Sequence, residues 1–333
     1  MKRESIVKLL GMLALPLTMN ANATNPLDFG SDLLTADPSA HVWNDGKMYV
    51  YTSHDLNCQP DFFMQDWHVF SSTNLKDWTA HGPVLSVDDL TWADNFAWAP
   101  DAAYKNGKYY FVFPAGSGFK DRVNPENSTK WMGIGIAESN SPTGPFEDKI
   151  GAPLWQTPYA NDPALFIDDD DKAYLYFHGK DFDYRVVELT DDLRSIKGDF
   201  IKMDMGGYEP KMEGPWVFKR NGLYYFTMPE NNRVLTYYTS QSPTGPWEYK
   251  GVFMEQEHES NNHHSIVEYQ GQWILFYHRW VETPELECEA RKRQRRSAAE
   301  FIEFNEDGTI KPVVRTNEGV SQFSQRLIES TEK

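Results

Sequence analysis

Short apolar runs rich in aromatics alternate with polar turns along this chain, and one version of that alternation recurs five times. Each copy opens on an acidic or histidine-bearing segment, enters an apolar stretch, turns at or near a glycine, and returns as an aromatic-rich strand. The first copy reads Asp37-Pro38-Ser39-Ala40-His41-Val42-Trp43, then Gly46-Lys47-Met48-Tyr49-Val50-Tyr51. The openings of the others are Ala99-Pro100-Asp101, Asp162-Pro163-Ala164, Glu213-Gly214-Pro215 and His263-His264-Ser265. A second half follows each opening with strands of its own, and two of these halves share a turn, Ser141-Pro142-Thr143-Gly144-Pro145-Phe146 and Ser242-Pro243-Thr244-Gly245-Pro246-Trp247. Proline and glycine set the dihedrals there, and the aromatic starts the outer strand. Asn305-Glu306-Asp307-Gly308 is a further hairpin signal.

Repetition at about 50 residues signals a propeller or solenoid. Four short strands per copy and scarcely any helical periodicity predict an all-β fold, a five-bladed β-propeller. Residues 25–32 are expected to add a strand to the last blade and close the ring. No linker interrupts residues 24–333, which read as one propeller domain.

Residues 1–23 read differently. Lys2 and Arg3 precede an apolar run over residues 6–17 and then Ala21-Asn22-Ala23, the layout of a secretory signal peptide. The run is shorter than the roughly 20 residues of a spanning helix. The expectation is an exported protein, periplasmic or extracellular, with no membrane span. A net charge of −17 argues against a nucleic-acid partner, whose phosphates it would repel. An aromatic content of 14% suits packed sheets and also surfaces that stack on sugar faces. Cys58 and Cys288 fall in the first and last repeats, so a disulfide closing the ring and two unpaired thiols both remain open. No zinc-binding or CxxC spacing is present.

In a propeller, equivalent positions converge on one axis. Asp37 and Asp162 each directly precede a proline in the same slot, His263 takes that slot in the fifth copy, Glu213 sits one residue earlier, and Ala99 fills it in the second. A single Asp-Pro is most simply a turn. Ionisable residues recurring at the rim of one channel are costly unless they are solvated or used. Carboxylates facing a common pocket point to glycoside hydrolysis, in which one protonates the leaving oxygen and another activates water or attacks the sugar. A like charge or burial raises the acid's pKa, a task for a third carboxylate. His41, His54 and His178 read as core or rim hydrogen-bonding residues, and Asp168 to Asp171 as a solvated hairpin turn. Trp98 suits the floor of a sugar pocket or the core equally.

The ordered set Ala36-Asp37-Pro38-Ser39, Trp98-Ala99-Pro100-Asp101, Asn161-Asp162-Pro163, Glu213-Gly214-Pro215 and His263-His264-Ser265, with Arg295 ahead of Asn305-Glu306-Asp307-Gly308, resembles glycoside hydrolase family 43 over nearly the whole chain after residue 23. The resemblance implies a five-bladed propeller acting by inversion, with Asp37 as general base, Glu213 as general acid and Asp162 as the residue that tunes the acid and orients the sugar. It implies that Arg295 (or Arg296, if the local alignment slips) holds a sugar hydroxyl or the acid. It also implies no cofactor for the chemistry, and a structural calcium ion in the central channel contacted by His263, mostly through water. Glu209 also precedes a proline but lacks the strand that follows Glu213. Inversion predicts carboxyl groups about 6.5–9.5 Å apart. The implied substrates are carbohydrates carrying terminal α-L-arabinofuranosyl or β-D-xylosyl groups. Galactofuranosidase, endo-xylanase or arabinanase action on the same fold, a retaining invertase-like propeller, and a catalytically silent sugar-binding propeller are the alternatives.

Overall fold

A computed structural model describes residues 25–56, 62–117, 131–157, 160–179, 183–208, 210, 212–230, 234–255, 262–281 and 294–331. The expected signal peptide, Cys58, Cys288 and Glu209 lie outside the described residues.

The described residues form five antiparallel sheets. β1 (Leu34–Val42), β2 (Met48–Asp55), β3 (Asp66–Ser72) and β4 (Trp78–Ser86) make the first, in chain order. β5 (Asp101–Lys105), β6 (Lys108–Ser117), β7 (Trp131–Ser139) and β8 (Trp155–Thr157) make the second. The third holds β9 (Asn161–Ile167), β10 (Ala173–His178), β11 (Tyr184–Leu189) and β12 (Ile196–Lys202). The fourth holds β13 (Trp216–Arg220), β14 (Leu223–Glu230), β15 (Val234–Ser240) and β16 (Glu248–Glu255). The last has β17 (His264–Tyr269), β18 (Gln272–Trp280) and β19 (Arg295–Ile302).

The opening strand of each repeat is the innermost. β1 touches β5, β5 touches β9, β9 touches β13, β13 touches β17, and β17 returns to β1, so the five surround one axis as the repeat predicts. The last blade has three strands rather than four. Its fourth place, beside β19, is taken by the segment at residues 25–29. There the Leu27 amide donates to the Ser297 carbonyl (2.8 Å), and the Asn25 side chain exchanges hydrogen bonds with the Ala299 backbone (2.9 and 2.8 Å). This closes the ring without a regular strand. A helix that the strand periodicity did not announce, α1 (Phe323–Thr331), packs Phe323 on Tyr269 of the same blade.

Between blades the core is aromatic. Tyr51, Trp67, Phe111 and Phe113 pack between the first and second, and Val50, Phe70, Phe276 and Ala299 between the last and the first. Tyrosine hydroxyls fasten these two seams and two others. Tyr51 donates to the Pro142 carbonyl and Tyr176 to that of Pro243, both in the shared turn of the next blade; Tyr225 reaches Gly308 and Tyr269 reaches Thr73, all at 2.7 Å. The buried ring thus pairs its one polar atom with a carbonyl, as burial demands.

Candidate active site

The backbone aims the acidic residues by a device that repeats. In the β1–β2 ladder the register passes from Ala36 opposite Ser53 to Ser39 opposite Tyr51, so Asp37 and Pro38 together face Thr52. In β9–β10 it passes from Asn161 opposite His178 to Ala164 opposite Tyr176, so Asp162 and Pro163 face Phe177. Each is a bulge, which re-aims a side chain, and proline fits there because it has no N–H to lose from the ladder. Asp37 and Asp162 take left-handed φ values of 52° and 47°, a conformation that the surrounding structure has to hold in place. In the fourth blade Gly214 (φ 82°) holds the left-handed place before Pro215. The acid therefore moves one residue back, to Glu213. Gly214 is required for a second reason: a β-carbon there would lie 2.6 Å from Cδ2 of His263.

These residues meet. His263 stands between the two aspartates, Nδ1 3.3 Å from Asp37 Oδ1 and Nε2 3.4 Å from Asp162 Oδ2. His178 Nε2 lies 3.7 Å from both Asp162 Oδ2 and Glu213 Oε2, and Asn161 Nδ2 donates to Glu213 Oε2 at 3.3 Å. Arg295 donates through Nη1 to Asp37 Oδ1 (2.8 Å) and through Nε and Nη2 to Asp55 (3.0 and 2.8 Å). Ser53 Oγ donates to the other oxygen of Asp37. Asp37 and Asp162 are buried, while the Glu213 side chain keeps 22% exposure and is the carboxyl open to a ligand.

Burial acts to raise the pKa of Asp37, but the Arg295 guanidinium, and then His263, hold this carboxyl well below the usual carboxylate range. Burial raises Asp162, and the charge of Glu213 adds to the rise. Glu213 is also pushed up by burial, yet the adjacent His178 imidazole and the nearby His263 bring it below its ordinary value. Burial alone would neutralise His178; the carboxylates of Asp162 and Glu213 close to its Nε2 outweigh it and push the imidazole up to about 10. His278 goes the other way, down to about 4 by burial. It is neutral, and its Nδ1 accepts the Asp37 amide at 3.2 Å, so its approach to the Asp37 carboxylate is no ion pair. Within the Asp162–Glu213 pair the raised carboxyl is that of Asp162. The raised carboxyl expected from the sequence on Glu213 thus falls on Asp162.

Arg295 is engaged with Asp37 rather than with Glu213, while Arg296 turns away to the Asp32 carbonyl. Trp98 does not touch the carboxylates. Its Nε1 donates to the Phe62 carbonyl (2.7 Å), and the Phe62 ring lies 4.9 Å from the Arg295 guanidinium. The half-buried indole packs on the core between the first two blades and supports the edge of the site through Phe62. His178 reads from the sequence as a core or rim hydrogen-bonding residue, and the structure places it beside the Asp162–Glu213 pair. The available signal was positional, since β10 must place a residue opposite Asn161, next to the Asp162 bulge. His41 does stay out of the site: it bonds Ser39 and Asp101 (2.9 and 2.8 Å), further along the inner strands. Asp168 to Asp171 form the β9–β10 turn, with Asp168 held by Lys219 and Tyr224.

Carboxylate oxygens of Asp162 and Glu213 and a nitrogen of His263 lie within 4.8 Å of one another. Both Asp162 oxygens and both His263 nitrogens are buried and accept or donate no hydrogen bond, a donor set that fits a hydrated cation. Calcium takes about 6–8 oxygens, so these side chains would supply the minority of its shell and water the rest.

The family model for glycosyl hydrolases family 43 matches residues 28–310. The chain is 34% identical to xylosidase/arabinosidase 43A of Humicola insolens, over 84% of this chain and 97% of that protein. It is 32% identical to β-D-galactofuranosidase xynD of Aspergillus niger, over 91% and 88%. A solved β-xylosidase/α-arabinofuranosidase from a compost microbial metagenome, in complex with xylotriose and calcium-free, superposes with a TM-score of 0.71 at 32% identity, covering 85% of this chain and 95% of that one.

Proposed function

This chain belongs to glycosyl hydrolase family 43 and is a glycosidase, and from that premise we infer that it releases terminal α-L-arabinofuranosyl or β-D-xylosyl groups with inversion. The observation that carries this reading is the convergence of Asp37, Asp162 and Glu213 around His263 and His178. Asp37 is ionised and fixed by Arg295, Ser53 and the bulge, so a carboxylate oxygen is held ready to take a proton from water attacking the anomeric carbon. Glu213, the more open carboxyl, donates its proton to the departing oxygen. A sugar that displaces water around the Asp162–Glu213 pair favours the neutral form. The proton of the pair then needs to sit on Glu213 for reaction, with Asp162 ionised beside it and close to His178 and His263. A bound calcium ion would add positive charge near Asp162 and help hold the sugar in register.

The galactofuranosidase relative makes the sugar itself the first quantity to measure. Aryl α-L-arabinofuranoside, β-D-xyloside and β-D-galactofuranoside should be compared at equal concentration, with the first-formed anomer followed by NMR. Turnover of either of the first two with inverted product is expected. A retained anomer would overturn the assignment of Asp37 as base. Asp37→Ala and Glu213→Ala should each lose about 10²–10⁴-fold in kcat/KM. Equal and negligible turnover by parent and variants would mean a binding protein. Export is part of the same reading, supported by the pattern of residues 1–23. N-terminal sequencing of the protein recovered outside the cytoplasm should begin at Thr24.

A further inference from the structure

We propose that His54, Asp66 and His68 on the first blade form a second metal site, separate from the carboxylate cluster, that takes a divalent transition metal of the zinc class. The β2–β3 ladder pairs Thr52 with His68 and Ser53 with Trp67. Continuing that register sets Asp66 opposite His54, on the same face as His68, because alternate residues share a face. The side chains meet there. His54 Nδ1 is 2.8 Å from Asp66 Oδ1, and His68 Nε2 is 3.4 Å from the same oxygen.

Hydrogen bonding accounts for only part of this cluster. His54 and Asp66 satisfy each other. His68 is 7% exposed, and its Nε2 faces Asp66 without making a hydrogen bond. A buried ring nitrogen without a partner is costly, and one beside a carboxylate and a second imidazole is placed as a ligand. Bonds of about 2.0–2.1 Å in a tetrahedral shell put neighbouring ligand atoms roughly 3.3 Å apart. The His68–Asp66 separation already has that value, and the His54–Asp66 contact needs to open by about half an ångström when a metal replaces the shared proton. The side chains of Asp66 and His54 keep 27% and 17% exposure, leaving an open side for a water as fourth ligand. Two imidazoles and one carboxylate favour zinc and its neighbours over calcium. The place has a consequence for the catalytic end, since His54 lies between Ser53, bonded to Asp37, and Asp55, bonded to Arg295.

The test uses chelator-treated full-length His263→Ala protein, which removes the nitrogen ligand of the other cluster, titrated with Zn²⁺ by calorimetry and with Co²⁺ by visible absorption. One equivalent of each is expected, with the intense bands of four-coordinate cobalt. Adding His54→Ala or His68→Ala should weaken Zn²⁺ at least about tenfold and abolish the bands, with circular dichroism unchanged. His54→Gln and His68→Gln replace the alanines should those unfold. Anomalous diffraction from the unmutated protein soaked in Zn²⁺ gives an answer that needs no variant. A peak among His54, Asp66 and His68 supports the site. No uptake by His263→Ala, uptake indifferent to His54 and His68, or a peak only elsewhere overturns it.

Discussion

Gly214 is packed against the ring of His263 so closely that a β-carbon on it would stand 2.6 Å from Cδ2. The same residue sits at φ 82°, so alanine there meets both a steric and a backbone penalty. Gly214→Ala is expected to cost about 1–3 kcal/mol, with more added if the ring resists displacement. Because His263 bridges Asp37 and Asp162, moving it should lower kcat as well. Urea unfolding and kcat measured on one preparation check this. A variant that loses stability with kcat intact would show that the position of His263 matters to the fold alone.

The His178 imidazole, pushed up to about 10, is a cation at neutral pH beside Glu213. It is the leading influence that holds Glu213 below its ordinary value against burial. Removing it should raise the pKa of the acid. An acid that must be protonated to work sets the alkaline limb of the kcat/KM profile, so in His178→Gln that limb should move to higher pH, by about one unit. The two carboxyls titrate together, and the limb reports the pair. A limb that stays in place would remove His178 from the electrostatics of the acid.

The parts of this site that lay open in the sequence are those the backbone repeats. Asp37-Pro38 and Asp162-Pro163 share a slot because they share a bulge, and Glu213 is displaced by one because Gly214 takes the left-handed position. The five blades were legible for the same reason. His178 was not, because it enters from the second strand of its blade, and which residue lies opposite Asn161, beside the bulge, depends on register. Nor was the partner of Arg295, since Asp55 and Asp37 reach it from 240 and 258 residues away. The irregular fourth edge of the last blade is held by an asparagine side chain reading the β19 backbone, and such an edge carries no alternating pattern.

Arg295 ties Asp37 to Asp55, and all three are buried. Arg295→Ala strands two carboxylates out of water, which should cost about 3–5 kcal/mol. Arg295→Lys keeps the charge but cannot span both partners with a planar fork, so it should fall between. The sign with pH is fixed. Without the guanidinium the carboxyl of Asp37 rises, the folded variant binds a proton more readily, and its deficit against the parent should shrink as pH falls. Urea midpoints of the three proteins at pH 7 and pH 5 test it, and a deficit that widens on acidification would exclude the pairing as its cause.

His264 and His278 are buried and driven by that burial to about 3 and about 4. In the unfolded chain both return to about 6.5. Below that value the unfolded state binds protons that the folded state refuses, so stability falls as pH falls, by up to about 1.4 kcal/mol per pH unit for each imidazole until its folded pKa is reached. Asp37, held low by Arg295 and His263 despite burial, adds a loss only near the ordinary aspartate range. His178 is raised, so its contribution is complete below about 6.5 and is lost as pH climbs toward about 10. Unfolding free energy should therefore start to drop below about pH 6.5, well before the carboxylates titrate. His264 is hydrogen-bonded to Thr227 at 2.7 Å and touches no carboxylate of the site. In His264→Gln the early slope should lessen by about one proton while the loss near pH 4 remains. Denaturant titrations at half-unit steps between pH 7.5 and 4 measure both segments, and an early slope unchanged in the variant would place the acid sensitivity elsewhere.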